Sequence, residues 1–231
     1  MSDPWHHTLG VFDLETTGID VTTSRIVSAH VGIIGPDGSI VEQLDWLADP
    51  GVEIPEGASA VHGITTERAR AEGRPAPEVV SEIVTAIADL FSRGFALTIY
   101  NAPYDLSLLA HEARRHGIDP LYLPAPIVDP LVLDKVVDRY RKGKRTLEAA
   151  ALHYGVDLTD AHDAGADAVA AGRVAQALAN RYQTELAFEA AELHDRQVSW
   201  AAEHAADFQA YMRRTRNPDF TDSGLWPVRH A

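Results

Sequence analysis

Cysteine is absent from the 231 residues. That excludes disulfides, thiolate zinc sites and a cysteine nucleophile, and it fits a cytoplasmic protein. No apolar run reaches the roughly 18 residues a membrane span needs, and residues 1–10 lack a positive segment followed by an apolar one, so neither a membrane protein nor a secreted one is expected. Basic residues are scarce: 20 Lys and Arg stand against 34 Asp and Glu, a formal charge of −14. Coating a polyanion without regard to sequence depends on Lys and Arg, so this charge argues against it. A small site built around metal ions stays compatible. Glycine and proline are missing from 183–216, which predicts helix running on to about Arg216, before Pro218 stops it.

The charge is unevenly spread. Arg25 is the single basic residue in 1–60, against ten acids, whereas 114–145 carries eight basic residues against four acidic ones. Within that stretch, Arg141 to Arg145 surround a glycine and read as a basic loop. Such a loop could follow a phosphate backbone or simply be solvated.

Apolar runs predict strands at Thr8 to Leu14, Ile26 to Ile34 and Ile40 to Leu47, with Pro36-Asp37-Gly38 as a turn. Helical spacing follows at Glu78 to Ser92, a buried strand at Phe95 to Tyr100, and a helix at Asp105 to His116 closed by Gly117. A short strand at 126–128 precedes helices near Pro130 to Tyr140, Thr146 to Tyr154 and Asp163 to Tyr182. Three antiparallel strands and then βαβα elements imply an α/β fold, a mixed sheet with helices on its faces. The expected division is 1–182 as the main domain and 183–231 as a C-terminal helical extension.

Chemistry concentrates in three places. In Gly10 to Gly18 a hydrophobic strand ends in Asp13 and Glu15, spaced i and i+2, which points both carboxylates to one face. Two carboxylates side by side repel, and burial worsens it, so the pair needs a cation or water; turn capping is the plainer alternative. Asp105 follows the strand ending at Tyr100, a place where Asp commonly caps a helix. His162 and Asp167 stand at i and i+5 at the start of the helix near 163–182.

Together these segments resemble the DEDD superfamily of 3′-to-5′ exonucleases, in its His-containing branch typified by the proofreading ε subunit of bacterial DNA polymerase III. D-x-E-T-T-G is matched from Asp13, N-A-x-[FY]-D-x-x-x-L by Asn101 to Leu109, and H-x-A-x-x-D-A by His162 to Ala168. Val61 to Thr65 is similar to the family's H-G-I loop. Three motifs in the right order are far more specific than any one of them.

The resemblance implies a ribonuclease H-like fold and hydrolysis of phosphodiesters to nucleoside 5′-monophosphates with two ions, Mg²⁺ or Mn²⁺, roughly 3.5–4 Å apart. It implies that Asp13, Glu15, Asp105 and Asp167 hold the ions and that His162 takes the water's proton, a task imidazole performs near neutral pH. It places Thr16, His62 and Asn101 beside the nucleic acid. The expected substrate is the 3′ end of single-stranded or frayed DNA, with RNA trimming as the alternative and a catalytically idle binding scaffold as the third reading. Proofreading would call for a polymerase partner.

In the extension, Gln183 to Phe188 resembles the Q-x-x-L-x-F peptide that binds sliding clamps. The same stretch also begins an apolar stripe of Leu186, Leu193, Trp200, Phe208 and Tyr211 at helical spacing. That much apolar area is expected to dock, either on the main domain or on a second copy in a homodimer.

Overall fold

A computed structural model describes residues 4–159 and 161–229. The chain opens with β1 (Leu9–Thr16), β2 (Ile26–Ile34) and β3 (Ile40–Asp49), followed by α1 (Glu56–His62), α2 (Thr66–Glu72), β4 (Arg74–Pro75) and α3 (Ala76–Ser92). Then come β5 (Leu97–Thr98), α4 (Ala102–Arg115), β6 (Ile127–Val128), α5 (Pro130–Val137), α6 (Leu147–Tyr154), α7 (Ala164–Arg181) and α8 (Ala190–Thr215). The strands form one mixed sheet, as the alternation of elements predicted, and its order is β4-β3-β2-β1-β5-β6. β1 sits inside it, antiparallel to β2 and parallel to β5.

The alternation of β1 assigns its two faces. Phe12 and Leu14 pack with Val80, Ile83 and Ile87 of α3 and Leu106 and Leu109 of α4. Leu9 and Val11 face the other way, onto Ala168, Val174, Ala175 and Leu178 of α7. Asp13 and Glu15 continue the Leu9–Val11 row, so the period of two carries them to the α7 side. α7 can lie close because of Gly172: a Cβ there would stand 2.5 Å from Ile34 Cδ1 and 2.7 Å from Val11 Cγ1. That close approach brings the N-terminal turn of α7 against the end of β1.

Three expectations shift. α1 and α2 were not anticipated, because each is only 7 residues long and too short to show a period. α4 starts at Ala102, so Asp105 is not its cap; Asn101 is, in a left-handed conformation (φ 63°), and Pro103 fits the first turn where no N–H is needed. The long C-terminal helix begins at Ala190, after turns through 183–189.

α8 docks over its first half. Its Leu193 and Gln197 are buried, while Phe208 and Tyr211 further along remain half exposed. Gln197 accepts from Asp129 N–H (2.7 Å) and donates to Ile127 O (2.9 Å), and His194 Nδ1 accepts from Ile127 N–H (3.0 Å). These side chains satisfy the open edge of β6, which would otherwise be free to pair with another chain. Leu186 is buried and its carbonyl accepts from the Trp5 indole, while Phe188 stacks under Arg196. Both apolar side chains of the clamp-like segment are therefore committed to the body of the chain.

Candidate active site

The site lies where β1 ends and the N-termini of α4 and α7 meet. Asp13, Glu15 and Asp167 each offer a carboxylate oxygen within 4.8 Å of the others. Asp105 reaches the same place from α4 and is 3 % exposed; it stands outside that trio but close enough to raise the pKa of Asp13. Among the described residues, no cationic side chain forms an ion pair with any of the four. Asp167 Oδ1 is buried without a hydrogen-bond partner, whereas its Oδ2 accepts from the His162 N–H at 3.3 Å.

Crowding without compensation makes these groups hard to ionise. Burial, then the neighbouring Asp105, Asp167 and Glu15, hold the Asp13 carboxyl well above the usual range. Burial likewise raises Asp105, against the Asp105 and Leu14 N–H groups that pull it down. Glu15 is pushed up to about 8 by burial and by Asp167 and Asp163. Asp167 is pushed up to about 6 by burial, partly relieved by the His162 N–H. A divalent cation removes this conflict, and a hard, all-oxygen donor set with one unsatisfied buried oxygen suits Mg²⁺ or Mn²⁺.

His162 sits on the loop before α7 with φ 71°, its ring exposed and its Nε2 3.7 Å from Glu148 Oε1. His62, at the C-terminus of α1, shares with His162, Asp163 and Asp45 the wall of a cavity of about 390 Å³. Burial lowers its pKa, and its Nδ1 accepts from Ile64 N–H. Thr16 lies at the irregularity that ends β1; its hydroxyl donates to Gly18 O (2.9 Å) and also meets the Tyr104 hydroxyl. Asn101 caps α4 one helical turn before Asp105. Its N–H donates to Asp129 Oδ1 (2.9 Å) and it lines a different cavity, beyond β6.

The structure also brings in residues that sequence reasoning did not assign. Tyr104 donates to Gly18 O at 2.6 Å and ties α4 to the loop after β1; its place in the second motif was the available signal. Asp129 accepts from the N–H groups of Asn101, Ala102 and Leu131 and from the Trp226 indole, and so fixes the turn that leads into α4. Glu148 near His162 carried no sequence signal at all. The basic loop is only partly free: Arg141 and Arg145 turn inward onto buried Asp134, leaving Lys142 and Lys144 outside.

Residues 11–175 match the exonuclease family RNase_T. Over 169 residues the chain is 28 % identical to a PolC-type DNA polymerase III of Lacticaseibacillus paracasei, covering 73 % of this chain and 11 % of that protein. It is 32 % identical over 173 residues to a DNA polymerase III subunit epsilon-like protein of Rhodobacter capsulatus, covering 71 % and 22 %. The chain thus spans less than a quarter of the length of these relatives. Among solved structures, E. coli exonuclease I with a dT13 oligonucleotide is similar at a TM-score of 0.67 and 20 % identity, over 78 % of this chain and 43 % of that one. Exonuclease I of Methylocaldum szegediense is similar at 0.65 and 21 %, over 78 % and 42 %.

Proposed function

The chain belongs to the RNase_T exonuclease family, and from that premise we propose that it removes nucleotides one at a time from the 3′ ends of DNA strands. The observation that carries this reading is the trio of Asp13, Glu15 and Asp167, gathered within 4.8 Å with a buried oxygen unsatisfied. Residues 1–182 carry the chemistry in this proposal, and 183–231 form an extension whose helix α8 lies along the β6 edge.

Asp13, Glu15 and Asp167 would hold one divalent cation, and Asp13 with Asp105 a second. When bound, the cations supply positive charge that relieves the carboxylates and stabilises the negative charge gathering on the phosphate during cleavage. The residues do the rest. His162, exposed and placed at the mouth of the cluster, accepts a proton from water as the water oxygen bonds to phosphorus. The bond from phosphorus to the 3′ oxygen breaks, and that oxygen takes a proton from solvent. One water is consumed and a nucleoside 5′-monophosphate leaves. Thr16 and Tyr104 stiffen the loop after β1 beside the terminal nucleotide, and His62 faces the same cleft from α1.

The polymerase III relatives support DNA as the substrate and a polymerase as a partner. Incubating 5′-labelled DNA and RNA oligonucleotides of one sequence with Mg²⁺, Mn²⁺ or EDTA tests this. The expected result is a ladder receding from the 3′ end of the DNA, released as 5′-monophosphates, and abolished by EDTA. Internal cuts, metal-independent cleavage or intact DNA would overturn it, and preferential shortening of the RNA would reassign the polymer.

A further inference from the structure

A cavity of about 340 Å³ opens where the second half of α8 rises past the C-terminal end of β6. Its floor is Asp129 and the Asn101 turn; its walls are Lys135 of α5, Phe208 of α8, and Leu225 and Arg229 of the segment after α8. Asn101 stands one helical turn before Asp105. β6 lies two strands from β1, about 10 Å at the usual strand spacing. The cavity therefore opens at the same end of the parallel strands as the carboxylate cluster, two strands across the sheet.

Its chemistry is divided. The Asp129 carboxylate is spent on four donors, and Asp222 at the rim accepts from Gly224 N–H. Lys135 is half buried, yet its ammonium has no hydrogen bond or ion pair among the described residues. Burial lowers its pKa, as do Arg145 and Arg229, against Asp129 and Asp222. Phe208 and Leu225 are 48 % and 55 % exposed, and the Phe208 and Phe220 rings meet at right angles with centroids 5.4 Å apart. An unpaired cation on the same cavity wall as a half-exposed aromatic ring matches a phosphate followed by an unstacked base, the pairing that single-strand binding surfaces use.

We propose that this cavity is a subsite for single-stranded nucleic acid a few nucleotides 5′ of the bond being cut, with a base against Phe208 and Leu225 and a phosphate at Lys135 and Arg229. The proposal rests on the exonuclease reading for the direction of the strand. A paired base cannot turn out to Phe208, so the subsite selects single strands and adds affinity as the strand lengthens.

The test is binding in EDTA, read by fluorescence anisotropy with 5′-fluorescein dithymidylate and octathymidylate. The wild-type protein binds the longer probe more tightly. Phe208→Ala lowers that preference about ten-fold, as expected for loss of one stacked base, and Phe208→Tyr restores it. Lys135→Gln reduces the slope of log affinity against log salt by about 0.7. Tyr122→Ala, an exposed ring away from the cavity, changes neither quantity. Melting temperatures confirm that each variant is folded. A wild-type protein without length preference, or the full preference kept in both Phe208→Ala and Lys135→Gln, overturns the subsite. Length-dependent binding that the variants lose, in a protein that shortens no strand with metal, sinks the exonuclease reading and leaves the subsite standing.

Discussion

Two groups of buried acid in this molecule solve the same electrostatic problem in opposite ways. Asp134, on α5, is fully buried, but Arg141, Arg145 and the Tyr154 hydroxyl reach it at 2.6 Å each. Burial pushes its carboxyl up, and those three hydrogen bonds outweigh the burial and leave it below the ordinary value. Arg145 also donates to the carbonyls of Asp134 and Asp138, so one guanidinium pins α5 to the loop that follows it. At the end of β1, by contrast, four carboxylates press together and every one is raised. The knot at Asp134 is neutralised by the chain itself and serves the fold. The cluster is left for something outside the chain to neutralise, and it costs stability until that happens.

The largest effect that separates the two is loss of turnover. Asp13→Ala, Asp105→Ala and Asp167→Ala each should abolish nucleotide release while the metal-free melting temperature stays level or rises, because each removes a repelling charge. Near-normal turnover in any of the three would erase the distinction. His162→Ala comes next, with a rate lower by about 10² to 10⁴, the range for a lost general base; single-turnover kinetics on a labelled oligonucleotide measures it.

On the other side of the comparison, Asp134→Ala strands two buried guanidiniums and should cost about 3–5 kcal/mol of stability. Chemical denaturation reads that value, and a change under about 1 kcal/mol would show that water reaches the knot. In pH the two groups differ in sign. Glu15 has an ordinary value of 4.5 and a folded value of about 8, so the unfolded chain releases its proton first. The metal-free protein should lose stability as pH rises from about 4.5 to 8, and added Mn²⁺ should reverse the trend. Asp134 has a lowered folded value, so its contribution is present above the ordinary carboxylate range and is lost as pH falls through it. Asp134→Ala should therefore flatten the acid limb alone, and Glu15→Gln the neutral limb alone.

The carboxylates were legible in the sequence because three short motifs stand in the order of the family they resemble. Asp13 and Glu15 also sit two apart on a strand, whereas Asp105 by itself reads as an ordinary helix cap and Asp167 as an ordinary helical acid. The knot was not legible, since Arg141 and Arg145 looked like a solvated basic loop, and nothing near them in sequence says that Asp134 lies beneath. The Asn101 turn was hidden for a similar reason. Its left-handed backbone is held by Asp129, a partner 28 residues away, and strand and helix periods do not report such bonds. Likewise the C-terminal stripe showed how much apolar surface α8 carries, but not that Phe208 and Tyr211 would stay half exposed.

The Trp226 indole, bonded to Asp129 at 3.3 Å, also has a consequence in time. Translation delivers a chain from its N-terminus at roughly 5–20 residues per second. The β1 carboxylates are made early, and the last donor to Asp129 follows only after α8 is complete. A growing chain can thus hold every acid of the cluster while the floor under the Asn101 turn is still one bond short. A chain cut before residue 226 would lack that donor and enter α4 through a looser turn, so the final setting of the turn waits on residues made long after the acids it supports.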